Sequence, residues 1–194
     1  MGTLVEIDPD LYEAPPDPES WANKEIVRDW LWRYHCSSSR IGGLLNVAEA
    51  TDMEPEDWIS LLGECWSSFD SIGPHQDELY DAVVSMVADP HVIIPALMDE
   101  DEHRAFDALP NAITVYRGCG PKNRNGFSWS LDEEIARNFP RGPRYWQPEP
   151  LLLTLTIPKS RAAALKLDRQ EKEIIVFDCP WEPTLKWSEE ALQF

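Results

Sequence analysis

The sequence is poor in the features that mark secreted and membrane proteins. Its four cysteines are scattered singly, without Cys-x-x-Cys spacing, so we expect four reduced, buried thiols and no disulfide. No apolar run approaches the roughly 18–20 residues that span a bilayer. The first 20 residues are acidic and proline-rich, with neither the basic nor the apolar segment of a signal peptide. These absences predict a cytoplasmic protein without a membrane partner.

Common nucleotide-binding and hydrolase motifs are missing as well. G-x-G-x-x-G, G-x-x-x-x-G-K-[ST] and G-x-S-x-G do not occur, so the usual dinucleotide fold, the P-loop and the hydrolase elbow lack support. The histidines His35, His75, His91 and His103 never pair at ligand spacing. We therefore expect no metal site.

Basic residues are scarce in the first part of the chain. Residues 1–110 hold 5 Lys and Arg against 24 Asp and Glu, a net charge of −19, whereas residues 111–194 hold 12 against 11, a net charge of +1. The second part is thus free to hold an anion, and direct nucleic-acid binding is not expected. We predict an extended acidic, proline-rich arm over 1–18, an acidic helical region over 19–110, and a functional region over 111–194.

The helical prediction depends on apolar periodicity. One stripe follows the spacing of an amphipathic helix that begins near Pro55: Trp58, Leu61, Leu62, Cys65, Trp66 and Phe69. Residues 21–34 and 78–87 predict further helices, and residues 91–106 predict one or two more.

After residue 110 the pattern changes to that of β-strands. ITVYR (113–117) and LLLTLTI (151–157) are rich in β-branched and apolar residues. Three shorter candidates follow: ALKL (164–167), EIIVF (173–177) and TLKW (184–187). A short helix is predicted over 131–139. The fold class is therefore α+β, with a helical region followed by a β-rich one.

Two serines flank a tryptophan at strand-like alternation just before this short helix. Ser130 and Glu133 have the spacing of a capping box, which gives Ser130 a structural role. Ser128 has no such role, so it is the better candidate for function.

An arginine and a pair of glutamates complete the candidate chemistry. Arg117 ends a predicted strand and is followed by Gly118, while Glu171 and Glu173 are two residues apart. On an extended chain the two carboxylates share a face, where they attract a cation. The alternatives are a surface ion pair for the arginine and a solvated strand edge for the glutamates.

The segments VYRG, GFSWSLDEEIARNF and RQEKEIIV, in this order, resemble the three signature regions of the Arg-Ser-Glu class of ADP-ribosyltransferases. The resemblance covers residues 113 to 177. It implies a split two-sheet fold that grips NAD as a co-substrate, with no metal. It also implies the catalytic residues Arg117, Ser128, Glu171 and Glu173.

The same resemblance implies a set of NAD-contacting residues. PRGPRYWQPEP (140–150) resembles the loop that closes over the phosphates and nicotinamide in that family. The implied NAD contacts are Tyr116, Arg117, Gly118, Ser128, Trp129, Ser130, Phe139, Arg141, Arg144, Tyr145 and Trp146.

The resemblance implies a mono-ADP-ribosyltransferase that modifies a protein target, and the Glu-x-Glu form is associated with arginine acceptors. In that reading Glu173 stabilises the ribosyl cation and Glu171 meets the acceptor. Two alternatives remain open. One is an NAD glycohydrolase, and the other is a non-enzymatic acidic binding protein built on a decayed transferase fold.

Overall fold

The computed structural model describes residues 21–50, 53–70, 72–168, 172–177 and 186–193. Helices dominate the first part of the described chain, and none of the described helices is long and apolar enough to cross a membrane. The five helices that precede the strands are α1 (Lys24–Tyr34), α2 (Arg40–Ala50), α3 (Pro55–Cys65), α4 (Gln76–Val87) and α5 (Glu100–Asp107).

Helix α3 confirms the apolar stripe predicted from the sequence. Pro55 is its first residue, where the missing N–H costs no hydrogen bond. Trp58, Leu61 and Leu62 on the stripe are completely buried. The helix then tightens into a 3₁₀ turn over Trp66–Ser68, so the last part of the stripe leaves the α-helix.

Helix α2 was not predicted, because two glycines interrupt its sequence, RIGGLLNVAEA. Gly43 is needed for packing: a Cβ atom there would lie 2.9 Å from the ring of His35 and 2.9 Å from Leu31 Cδ2. Gly43 therefore lets α1 and α2 approach closely, although a glycine lowers the helix propensity from which the helix would have been predicted.

Within the described residues, six strands form a single antiparallel sheet in the order β4-β5-β2-β1-β3-β6. Helix α6 (Glu133–Asn138) separates β2 from β3 along the chain. The strands are β1 (Ala112–Cys119), β2 (Ser128–Ser130), β3 (Leu151–Pro158), β4 (Ala164–Lys166), β5 (Glu173–Ile175) and β6 (Lys186–Ala191). The mixed helical and antiparallel architecture belongs to the α+β class.

The resemblance implied two separate sheets, but the described strands form one. Strand β2 pairs with β5 through three residues and with β1 through one, the pair Tyr116 and Ser130. Two three-stranded halves are thus joined at one residue pair. The sheet remains continuous because β2 bonds on both of its edges.

The helices and the sheet share one hydrophobic core. Trp58 of α3 belongs to the same buried cluster as Val115 and Leu153 of the sheet. On the other face of the sheet, Leu152 and Tyr116 pack with Ala136 of α6, as expected when alternate strand residues point to opposite faces. The helices before residue 107 and the strands after residue 112 are therefore packed against each other.

A buried ion pair also links the helices to the sheet. The ammonium of Lys166 on β4 lies 2.6 Å from Glu102 Oε2 on α5, and both side chains are almost fully buried. Lys166 also donates to the carbonyl of Leu97, and Glu102 accepts from the amide of Leu167. Both charges therefore have the partners that burial demands.

The capping box predicted for α6 is wrong. Asp132 is the N-cap residue, and its carboxylate accepts from the amides of Glu134 and Ile135. Ser130 Oγ instead accepts from the amide of Asp132 at 2.9 Å. Glu133 does not reach back, because it pairs with Arg137 one turn later.

The cysteine prediction is correct in part. Cys65 and Cys119 are buried free thiols, whereas Cys36 is an exposed free thiol in the turn between α1 and α2. Cys179 lies outside the described residues. The prediction failed for Cys36 because its position follows the end of α1, where the apolar stripe no longer specifies burial.

Candidate active site

A cleft opens where β1, β2, β5 and α6 meet the helical region, and its volume is about 680 Å³ when the open solvent at its mouth is included. Both parts of the chain contribute to its walls. The lining residues are Trp66, Ser67, Phe69, Ile72, Tyr116, Arg117, Gly118, Ser128, Trp129, Ser130, Ile135, Ala136, Phe139, Tyr145 and Glu173.

Three polar residues form a row across the strands that border the cleft. Tyr116 on β1 is opposite Ser130 on β2, and Ser130 is opposite Glu173 on β5. Residues opposite each other on antiparallel strands project to the same face. The chain enters β5 through Lys172, which has a positive φ of 45° and whose carbonyl accepts from the amide of Leu131.

The carboxylate of Glu173 is held by a side chain from the helical region. Trp66 Nε1 donates a hydrogen bond to Glu173 Oε1 at 2.7 Å. This contact joins positions 107 residues apart in the chain. The predicted catalytic glutamate is therefore oriented by a residue from outside the segment that resembles a transferase.

Arg117 lines the cleft, but its hydrogen bonds bind the protein itself. Nη1 donates to the carbonyl of Ser128 at 2.6 Å, while Nη2 and Nε donate to the carbonyl of Asn123 at 3.0 and 3.3 Å. A Cβ atom at Gly126 would lie 2.0 Å from Nη2. The guanidinium thus fastens the loop between β1 and β2 closely against the end of β1.

The electrostatics of Arg117 reflect this enclosed position. Burial lowers the pKa of the Arg117 guanidinium, while Cys119 and Glu173 act in the opposite direction. A guanidinium remains protonated in proteins even when its pKa falls somewhat. The cleft therefore contains a fixed positive charge near the Glu173 carboxylate.

Gly118 is required by the packing of α6. A Cβ atom there would lie 1.8 Å from the carbonyl oxygen of Ala136 and 2.5 Å from Pro140 Cδ. Gly118 therefore lets the end of α6 rest directly on β1, and this contact closes one side of the cleft.

The loop that follows α6 contributes only part of what was predicted. Phe139 and Tyr145 line the cleft and stack, with ring centroids 4.3 Å apart and an interplanar angle of 12°. Arg141, Arg144 and Trp146 do not line it. Arg141 donates to the Gln193 carbonyl, Arg144 pairs with Asp70 of the helical region, and Trp146 is exposed.

The structure brings most of the predicted site residues together. Arg117, Ser128 and Glu173 line one cleft, and so do six of the remaining predicted NAD-contacting residues: Tyr116, Gly118, Trp129, Ser130, Phe139 and Tyr145. Both serines line it, so the predicted division of roles between Ser128 and Ser130 does not follow from position alone. Glu171 lies outside the described residues.

Sequence reasoning missed the wall that the helical region contributes. Trp66, Ser67, Phe69 and Ile72 come from the 3₁₀ turn after α3 and the residues that follow it. Trp66 and Phe69 belong to the predicted apolar stripe, which indicated burial alone. An apolar stripe at helical spacing predicts which residues are buried. It does not predict which group accepts a hydrogen bond from the indole N–H of Trp66.

Comparison of the chain with protein-family models, curated proteins and solved structures gave no match. Within the described ranges, no group of three or more His, Cys, Asp and Glu side chains is placed to hold a metal ion.

Proposed function

We propose that the protein is a mono-ADP-ribosyltransferase, which transfers ADP-ribose from NAD to a protein side chain and releases nicotinamide. The observation that supports this proposal is the convergence of Arg117, Ser128 and Glu173 on one cleft. These residues come from three separate strands, β1, β2 and β5. Sequence order alone did not require them to meet.

The chemistry of the cleft suits cleavage of a glycosidic bond next to a ribose. Breaking that bond produces an oxocarbenium-like sugar, which a carboxylate stabilises. Glu173 supplies the carboxylate, and Ser130, opposite it on β2, supplies a hydroxyl on the same face. The stacked rings of Phe139 and Tyr145 offer a flat apolar wall for a planar ring of the substrate.

The role proposed for Arg117 differs from the direct NAD contact that the resemblance implies. Its three hydrogen bonds bind the carbonyls of Ser128 and Asn123, so its main contribution is to shape the loop that borders the cleft. Its positive charge also favours an anionic substrate nearby. Replacement of Arg117 therefore disturbs both the loop and the local charge.

The acceptor class proposed is a basic protein side chain, with arginine preferred. The helical region carries most of the negative charge of the chain, and charge complementarity steers a basic target towards it. NAD hydrolysis is the second candidate. It is favoured by the enclosure of the carboxylate, because Glu173 is bonded by the buried Trp66 and water needs less room than a protein side chain.

Release of nicotinamide from NAD by the purified full-length chain tests the proposal. Glu173→Gln keeps the shape of the side chain and removes its charge, so we expect a rate lower by about 10²–10³. Glu134→Gln is the matched control, because Glu134 is exposed on α6 and does not line the cleft. Failure of the parent protein to consume NAD, or a Glu173→Gln variant as fast as the parent, contradicts the proposal.

Intact-mass spectrometry of basic candidate targets incubated with NAD separates the two reactions. Transfer adds the mass of ADP-ribose to the target, whereas hydrolysis leaves the target unchanged and releases free ADP-ribose.

A further inference from the structure

Trp66 is buried in an aromatic cluster that fixes the direction of its indole N–H. Its side chain is 2% exposed, and its ring makes edge contacts with Phe69 and Phe177 at centroid distances of 6.5 and 6.2 Å. Rings packed in this way have little freedom to rotate. The N–H is thus aimed at Glu173 by packing within the core.

A second buried tryptophan of the same region shows the ordinary structural alternative. Trp58 Nε1 donates to the carbonyl of Leu44 at 3.1 Å, which satisfies a buried donor with a neutral acceptor. Trp66 instead donates at 2.7 Å to a carboxylate that lines the cleft. A hydrogen bond to an ionised acceptor is shorter and stronger than one to a neutral acceptor. The bond from Trp66 therefore favours the ionised form of the Glu173 carboxylate.

We propose that Trp66 is a positioning residue, which holds the Glu173 carboxylate in one orientation and in its charged form. The acidic helical region then supplies part of the reactive site, in addition to any role in docking a target. The catalytic part of this inference rests on the proposed function, because it assigns Glu173 to the stabilisation of a ribosyl cation.

Two of the charged groups near Glu173 are engaged by other partners, and a third is exposed. Arg117 on β1 is bonded to backbone carbonyls. Lys166 on β4 is opposite Glu173 in register, but its ammonium is paired with Glu102. The neighbouring Lys172 is exposed. Trp66 therefore differs from them as a neutral donor bonded directly to the Glu173 carboxylate.

Nuclear magnetic resonance of the indole N–H groups tests the contact without any requirement for NAD. The Trp66 resonance, assigned from its absence in Trp66→Phe, should shift as Glu173 is protonated at acid pH. The Trp58 resonance, assigned likewise from Trp58→Phe, should not. In Glu173→Gln the Trp66 titration should disappear. A Trp66 resonance that ignores both pH and the Glu173→Gln substitution overturns the inference.

Kinetics of NAD cleavage test the consequence for the reaction. Trp66→Phe should lower kcat at least tenfold with little change in KM, and should move the acid limb of the pH–rate profile to higher pH, because the charged carboxylate loses a donor. Trp58→Phe removes a comparable buried hydrogen bond and should leave both unchanged. Parent-like kcat and pH dependence in Trp66→Phe contradict the positioning role.

The two assays separate this inference from the proposed function. A parent protein that leaves NAD intact refutes the function, while the indole titration still decides whether Trp66 controls the Glu173 carboxylate. An active parent with an unchanged Trp66→Phe variant refutes the positioning role alone.

Discussion

The three described cysteines differ from one another in exposure and in the pKa of their thiols. The exposed Cys36 receives hydrogen bonds from Ser38 and Ser39, which lower the pKa of its thiol to about 6. Burial raises the pKa of Cys65 to about 12 and also raises the pKa of Cys119. Because the thiolate is the reactive form, Cys36 should be the most reactive of these three.

We predict that iodoacetamide alkylates Cys36 faster than Cys65 and Cys119 at neutral pH. Because the pKa is lowered, the thiolate is present above about pH 6, and the rate should level off once the pH exceeds that value. Peptide mapping by mass spectrometry measures the rate at each cysteine. Ser38→Ala should move the rise to higher pH, whereas a rate in the parent that still climbs near the ordinary thiol pKa of about 8.5 would contradict the prediction.

At the level of secondary-structure elements, helix α6 depends on a cap that sequence spacing assigned to another residue. Asp132 accepts from two amides in the first turn, and the helix is only six residues long. Short helices gain little from propagation, so their end contacts carry much of their stability. The end of α6 also covers Gly118.

We predict that Asp132→Ala lowers the free energy of unfolding by about 1 kcal/mol through the lost N-cap. Glu133→Ala should cost less than Asp132→Ala, because it removes only a surface ion pair between positions i and i+4. Urea denaturation of the two variants measures both values. The opposite ranking would favour the capping box of Ser130 and Glu133.

The elements predicted from the sequence are those whose signal is local. The stripe of α3 and the β-rich segments of β1 and β3 carry their periodicity within one window. Helix α2 was missed because Gly43 serves a contact with α1 that no local pattern reveals. Strand β2, SWS, has a polar residue at each end, whereas the equally short β4 and β5 lie in segments whose apolar residues mark them as strands.

The candidate site follows the same division between local and distant information. Arg117, Ser128 and Glu173 could be selected because the resemblance orders them along the chain. Trp66 could not, since its hydrogen bond to Glu173 depends on how α3 packs against the sheet. The partners of Arg141 and Arg144 were missed for the same reason, because both arginines contact segments distant in sequence.

For the whole molecule, the decisive feature is the single core that the helices and the sheet share. The division of charge near residue 110 predicted a helical region followed by a β-rich one. Packing couples the two through apolar contacts and through the buried pair of Lys166 and Glu102. Elements that share a core unfold together in small proteins.

We predict that Lys166→Met weakens the helical region and the sheet to the same extent. It leaves Glu102 charged and buried without its ammonium partner, which typically costs about 3–5 kcal/mol. Hydrogen exchange should show equal loss of protection in α3 and in β3. The double variant with Glu102→Gln should be less destabilised than the sum of the two single variants. Loss of protection confined to the sheet would show that the two parts unfold independently.

The hydrogen bond between Trp66 and Glu173 also has a consequence for biosynthesis. A ribosome adds roughly 5–20 residues per second, so Glu173 is made about 5–20 s after Trp66, which precedes it by 107 residues. During that interval the nascent helices present apolar surface that the strands later cover. Chaperones that bind exposed apolar segments can bind the nascent helices during that interval. A chain released before β5 is made contains Trp66 without the Glu173 carboxylate that its indole N–H binds.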